Sequence, residues 1–135
     1  MNIKLVVADV NGTLLNFRHE LTEFTRTTLL ALKKAGIRIV LATGKILPSI
    51  SEIVKELNLG LPLILANGAL IQRADGTVLY EIPLPPQHFT ALLDFVSGSD
   101  LDYAFFTCDQ VFVPHHTYNT DLVVEYNDPQ PIEIG

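Results

Sequence analysis

A chain of 135 residues has room for one domain, or for one small domain and part of another. Its net charge of −6, without a basic stripe, argues against a nucleic-acid partner, and no apolar run reaches membrane-spanning length. The single cysteine, Cys108, rules out an intrachain disulfide. A hydrophobic content of 48% with a mean hydropathy of +0.31 suits parallel strands covered on both faces, or a surface that something else covers.

In chain order, residues 3–8 form a short apolar run rich in β-branched side chains, which reads as a buried strand. The first strand starts almost at the N-terminus, so no signal peptide is expected and a cytoplasmic location is. The run ends on Asp9, and Asn11-Gly12 follows as a turn. Thr22 is placed to cap a helix that carries Glu23 in its first turn and Lys33 and Lys34 in its last, with Gly36 ending it. Leu21, Thr25, Leu29 and Leu32 fall at helical spacing and would face a sheet. A second apolar run, residues 37–42, closes on Thr43-Gly44-Lys45 and completes a right-handed βαβ unit.

Pro48 suits the first turn of the next helix, whose apolar side is Ile46, Ile50, Ile53, Val54 and Leu57. Residues 58–60 break it. A third run, residues 63–66, closes on Asn67-Gly68-Ala69. Residues 69–72 and 78–82 then read as a hairpin around Asp75-Gly76. The proline cluster at 83–86 is the candidate linker. Beyond it, Phe89, Leu92, Leu93 and Val96 mark a helix ended by Gly98. Residues 103–107 and 111–113 can pair across Cys108-Asp109-Gln110. The tail from Asn127 onward, with two prolines, is expected to be poorly ordered.

Three strands each end on a small polar residue followed by glycine, which sets Asp9, Thr43 and Asn67 at one edge of one sheet. Open α/β sheets place their chemistry at the carboxyl ends of their strands. A carboxylate at such a point is either a nucleophile or a turn-starter. Lys45 either reaches the site or is a solvated charge near a helix start. His115 and His116, read as strand neighbours, would point to opposite faces and so would not share a metal ion. Cys108 and Asp109 read as turn residues, and His19 and His88 as surface residues.

The order D-x-N-G-T-L, A-T-G-K, N-G-A, with helices between, resembles the haloacid dehalogenase superfamily, in the branch of the Cof-like sugar-phosphate phosphatases. The resemblance implies an α/β fold: a Rossmann-like parallel sheet, incomplete here, with a β-hairpin and the start of an α+β cap. Core and cap would occupy residues 1–83 and 84–135. It implies that Asp9 attacks a phosphoryl group to form an aspartyl-phosphate. Backbone groups at Val10 and Asn11, with Thr43, Gly44 and Lys45, would hold the phosphoryl oxygens. Magnesium would bind at Asp9 and the Asn11 carbonyl. Asn67 and Gly68 would shape the loop toward cap and substrate, a small phosphorylated metabolite.

The chain departs from the family at three points. Asn11 stands where the family has the aspartate that shuttles a proton, a loss worth about 10²–10⁴ in rate. Lys45 replaces an arginine. The family's later lysine and acidic pair have no counterpart before Gly135. Two readings follow: a magnesium-dependent phosphatase represented by its N-terminal part and weak or inactive as such, or a catalytically silent remnant or partner-dependent subunit that keeps phosphate or metal binding. In the family the first strand lies mid-sheet, between strands 2 and 3 on one side and later strands on the other. Here it becomes an edge, so a homodimer or a companion chain is expected.

Overall fold

The computed structural model describes residues 3–134. The chain divides into two compact units between Glu81 and Ile82. In the first, β1 (Leu5–Ala8) runs parallel to β2 (Arg38–Leu41), with Leu5 opposite Arg38 and Ala8 opposite Leu41. Helix α1 (Glu23–Lys34) connects them. Helix α2 (Leu47–Leu57) leads to β3 (Leu63–Leu65), which joins β2 through one parallel bridge, Ala42 to Ile64. This is an α/β fold with a parallel sheet, built from shorter strands than the apolar runs imply.

The helix boundaries follow local chemistry. The Thr22 hydroxyl accepts from the Thr25 N–H at 3.2 Å and caps α1. Gly36 turns the chain at φ +80°. Pro48 sits in the first turn of α2, and Asn58, left-handed at φ +41°, ends it. Buried Ile39 and Leu41 of β2 and Leu63 and Leu65 of β3 form the core with Leu29 of α1 and Ile50, Val54 and Leu57 of α2.

Two features of this unit depart from the sequence reading. First, β3 also pairs antiparallel with β4 (Leu70–Gln72), which pairs with β5 (Val78–Glu81). The third strand therefore joins a parallel ladder to an antiparallel one. This pairing is a local hairpin, with Leu65 opposite Leu70, but three-residue strands are too short for periodicity to reveal it. Second, β1, read as a buried strand, is not covered on both faces: Leu5 is 44% and Val7 54% exposed. Its outer edge, which no strand among the described residues pairs with, is the edge that the sequence reading expects.

The second unit contains α3 (Pro86–Ser97), β6 (Phe105–Phe106), β7 (Val111–Val113), α4 (Tyr118–Glu125) and β8 (Ile132–Glu133). The β6–β7 hairpin is antiparallel, and β8 runs parallel to β7. Phe105 packs against Phe89 at 4.9 Å and Tyr103 at 5.4 Å between ring centroids. The tail after Asn127 is anchored, contrary to expectation. The Ile134 N–H donates to the Val113 carbonyl at 3.0 Å, and Asp128 is buried. Helix α4 is short and weakly amphipathic, so only its Thr117/Thr120 capping box marks it in the sequence.

His115 and His116 do not lie in a strand; they follow β7 in a bend. His116 Nδ1 is 2.6 Å from Asp121 Oδ1 on α4, and its N–H donates to Glu133 Oε2 at 3.0 Å. The described residues hold no cluster of three histidine, cysteine or acidic side chains able to bind a metal. The contact with Asp121, and behind it the charge of Glu133, raises the His116 pKa above the ordinary histidine value. A raised folded-state pKa stabilises the fold below the unfolded-chain value, near about 6.5, and that contribution is lost as pH rises through the folded value. Thermal stability should therefore fall slightly as pH rises through and above the histidine range. Asp121→Asn should remove that part of the slope; an unchanged slope in the variant would show that the pair contributes nothing.

Candidate active site

The site starts where β1 ends. Asp9 leaves the strand extended (φ −71°, ψ 157°) and the chain enters a tight turn over Val10–Leu14. Asn11 remains extended, and Gly12 takes φ +72°, which a side chain would oppose. The turn closes with the Leu15 N–H on the Val10 carbonyl at 2.9 Å. Buried Val10, Leu14 and Leu15 anchor it. The exposed Asp9 carboxylate accepts one long contact, from the Thr13 hydroxyl at 3.4 Å.

The ends of β2 and β3 are tied together beside it. The Thr43 N–H donates to the Ile64 carbonyl at 2.9 Å, and the Thr43 carbonyl accepts from the Asn67 N–H at 3.2 Å. The Ala66 N–H donates to the Lys45 carbonyl at 3.0 Å. Thr43 itself is buried, and its hydroxyl accepts from the Lys45 N–H at 3.2 Å. Ala66, Asn67 and Gly68 have φ of +48°, +56° and +94° in succession. Only glycine adopts this conformation without cost; for alanine it costs about 1–2 kcal/mol. The strained turn brings the Asn67 carboxamide onto Gly44. A Cβ at position 44 would lie 2.9 Å from Asn67 Oδ1, so glycine is required there while Asn67 keeps its place.

Asp9, Thr43, Gly44, Asn67 and Gly68, with Ala42 and Ile64, line one open cavity of about 280 Å³. Thus one carboxylate, one hydroxyl, one carboxamide and the backbone of two glycines face a common space at the carboxyl ends of the strands. Val10, Asn11 and Lys45 are not among its lining residues. The Val10 side chain is fully buried, so only its backbone could serve a ligand. The Asn11 side chain turns to His19, with Nδ2 3.3 Å from Nδ1 of the ring. Sequence reasoning left His19 as a surface residue and placed Ala66 at the end of the third strand, whereas β3 stops at Leu65 and Ala66 is left-handed. Neither position carries a local signal, because both depend on how a loop closes.

The profile of the haloacid dehalogenase-like hydrolases matches residues 6–133. The chain belongs to that family. Similar members include the Bacillus subtilis protein YxeH, 35% identical over 126 residues, which cover 90% of this chain and 47% of that protein. The HMP-PP phosphatase of Klebsiella pneumoniae is 36% identical over 90 residues, 67% of this chain and 33% of that protein. A haloacid dehalogenase-like hydrolase from Bacteroides thetaiotaomicron, of known crystal structure, superposes with a TM-score of 0.83 at 25% identity, over 98% of this chain and 52% of that one. The chain spans about half the length of these relatives or less. Among the described residues, no helix of this hydrolase-family chain is long and apolar enough to cross a membrane.

Proposed function

We propose that this chain carries the phosphoryl-transfer half of a phosphoric monoester hydrolase acting on small phosphorylated metabolites. The observation that carries the reading is the convergence of Asp9, Thr43 and Gly44 on one cavity at the strand ends. Asp9 is exposed enough to attack, and a carboxylate nucleophile divides one hard displacement into two easier ones. Thr43 and the backbone N–H groups of Gly44, Val10 and Asn11 hold the oxygens of the phosphoryl group, with Lys45 adding charge. Asn67 and Gly68 bound the entrance. The phosphatase named among the relatives supports phosphate esters as the substrate class.

Magnesium suits the cavity's donors, the Asp9 carboxylate with hydroxyl and carboxamide oxygens rather than histidine or thiolate. Asp9 and the Asn11 carbonyl would hold it, where it would neutralise charge on the phosphoryl oxygens. The acidic composition and the single cysteine support a cytoplasmic setting, without nucleic acid or membrane as partner.

Asn11 cannot carry a proton as a carboxyl group can. This supports low turnover, or the alternative of a catalytically silent or partner-dependent chain that still binds phosphate or metal. Release of p-nitrophenol from p-nitrophenyl phosphate with magnesium is the test. Turnover barely above background is expected, with Asn11→Asp helping only modestly. Robust turnover abolished by Asp9→Ala would show the chain to be a competent phosphatase as it stands.

A further inference from the structure

In the cavity at the strand ends, the exposed side chain of Asn67 is fixed by the backbone that carries it. That backbone is tied to the end of β2 on both sides of Gly44. The Asn67 N–H donates to the Thr43 carbonyl at 3.2 Å, and the Ala66 N–H to the Lys45 carbonyl at 3.0 Å. Ala66 and Asn67 are both left-handed, at φ +48° and +56°. Strain of this kind persists only where the surroundings impose it, and it gathers at ligand sites. Here it lays the carboxamide against Gly44. Oδ1, Cγ and Nδ2 lie 2.9, 3.4 and 3.4 Å from the point that a Cβ at position 44 would occupy. The carboxamide and the Gly44 N–H are therefore neighbours on the cavity wall.

The chemistry of that wall gives the placement a use. Among the residues that line the cavity, Asn67 alone has a side-chain N–H, and Thr43 alone a hydroxyl. The Asp9 carboxylate, when ionised, only accepts, and Lys45 is not in the lining. A phosphoryl group seated there brings several negatively charged oxygens up to a carboxylate, and each needs a donor. The backbone N–H of Asn67 is already committed to Thr43, whereas no hydrogen bond between described residues engages its carboxamide. Oδ1 is the carboxamide atom nearest Gly44, which leaves the Nδ2 hydrogens for a ligand.

We propose that the Asn67 carboxamide is a phosphoryl-oxygen donor, Nδ2 donating to an oxygen beside the one that the Gly44 N–H holds, or to the same one. This role rests on the phosphoryl-transfer reading of the cavity, and it gives Asn67 a contact with the substrate rather than a place at its entrance. A carboxamide donates without adding a charge that would pair with Asp9 and quench the nucleophile. Glycine at position 44 is then a requirement of binding as well as of packing, because a Cβ there would push the donor away.

Inorganic phosphate is titrated into the isotope-labelled full chain with magnesium present, and binding is followed by nuclear magnetic resonance. In wild type the Asn67 side-chain N–H resonances should shift downfield as phosphate binds. Asn67→Gly removes the carboxamide and should weaken phosphate binding about ten- to hundredfold, the size of one hydrogen bond to a charged group. Asn67→Asp keeps the shape of the side chain but sets a carboxylate against phosphate, and should bind more weakly still. Neither exchange should unfold the chain, since glycine adopts the left-handed turn freely and aspartate tolerates it. A purely structural role for Asn67 predicts the reverse order, with the isosteric aspartate close to wild type. Asn67→Asp or Asn67→Gly binding phosphate as wild type does, or Asn67 resonances that stay in place at saturation, overturns the role of Asn67 and leaves the phosphoryl reading of the cavity standing. A wild-type chain that binds no phosphate overturns that reading, and this inference with it.

Discussion

Replacing Asp9 with alanine is expected to lower magnesium-dependent phosphoryl capture by about four orders of magnitude or more, the range seen when a nucleophile is removed from a preorganised site. The fold should not notice. Asp9 is exposed, and its side chain makes one long contact, with Thr13 at 3.4 Å. Exposed substitutions of this kind stay within about 0.5 kcal/mol. Thermal midpoints of wild type and Asp9→Ala should therefore coincide while reactivity separates them. A variant that reacts as fast as wild type would move the chemistry away from β1.

The second large effect concerns assembly. Lys4 and Ala8 direct their carbonyls to β2, where they accept from Arg38 at 3.0 Å and Ala42 at 2.9 Å. The alternating backbone groups, those of Leu5 and Val7, consequently face the outer edge, where no described strand pairs. The side chains of Ile3, Leu5 and Val7 are 57%, 44% and 54% exposed. An apolar edge with free backbone groups, bare on one face as well, recruits another strand. We expect the purified chain to be a homodimer joined along residues 3–8, with a companion chain taking that place when one is present. Light scattering after size exclusion should give twice the chain mass at micromolar concentration. Val7→Lys, which sets a charge on that edge, should return the monomer. A wild-type monomer whose β1 amides exchange rapidly would refute the pairing.

How far the sequence announces all this varies by element. The first three strands and two helices follow from apolar runs, caps and glycines that act within a few residues: Thr22, Pro48, Asn58. Asp9, Thr43 and Asn67 gather at one edge because parallel strands joined by helices leave the sheet on the same side. The pairing of β3 with β4, the anchoring of β8 against β7 and the helix over residues 118–125 were not legible. Two-residue and three-residue strands carry no periodicity, and their partners are fixed by packing alone. The same holds for the cavity's finer geometry. Nothing local in Ala66 announces a left-handed residue, and nothing in His19 announces a neighbour eight positions upstream. Asn11 could be read as a defect from the sequence, but its partner could not.

The measurement that tests the central claim most directly is the location of the phosphoryl group. The chain is incubated with acetyl phosphate and magnesium, quenched in acid, digested, and its peptides are examined by mass spectrometry. The account predicts one acid-stable, hydroxylamine-labile adduct, on Asp9, absent from Asp9→Ala. An adduct on another residue, or none under conditions where the folded chain binds magnesium and phosphate, would contradict it.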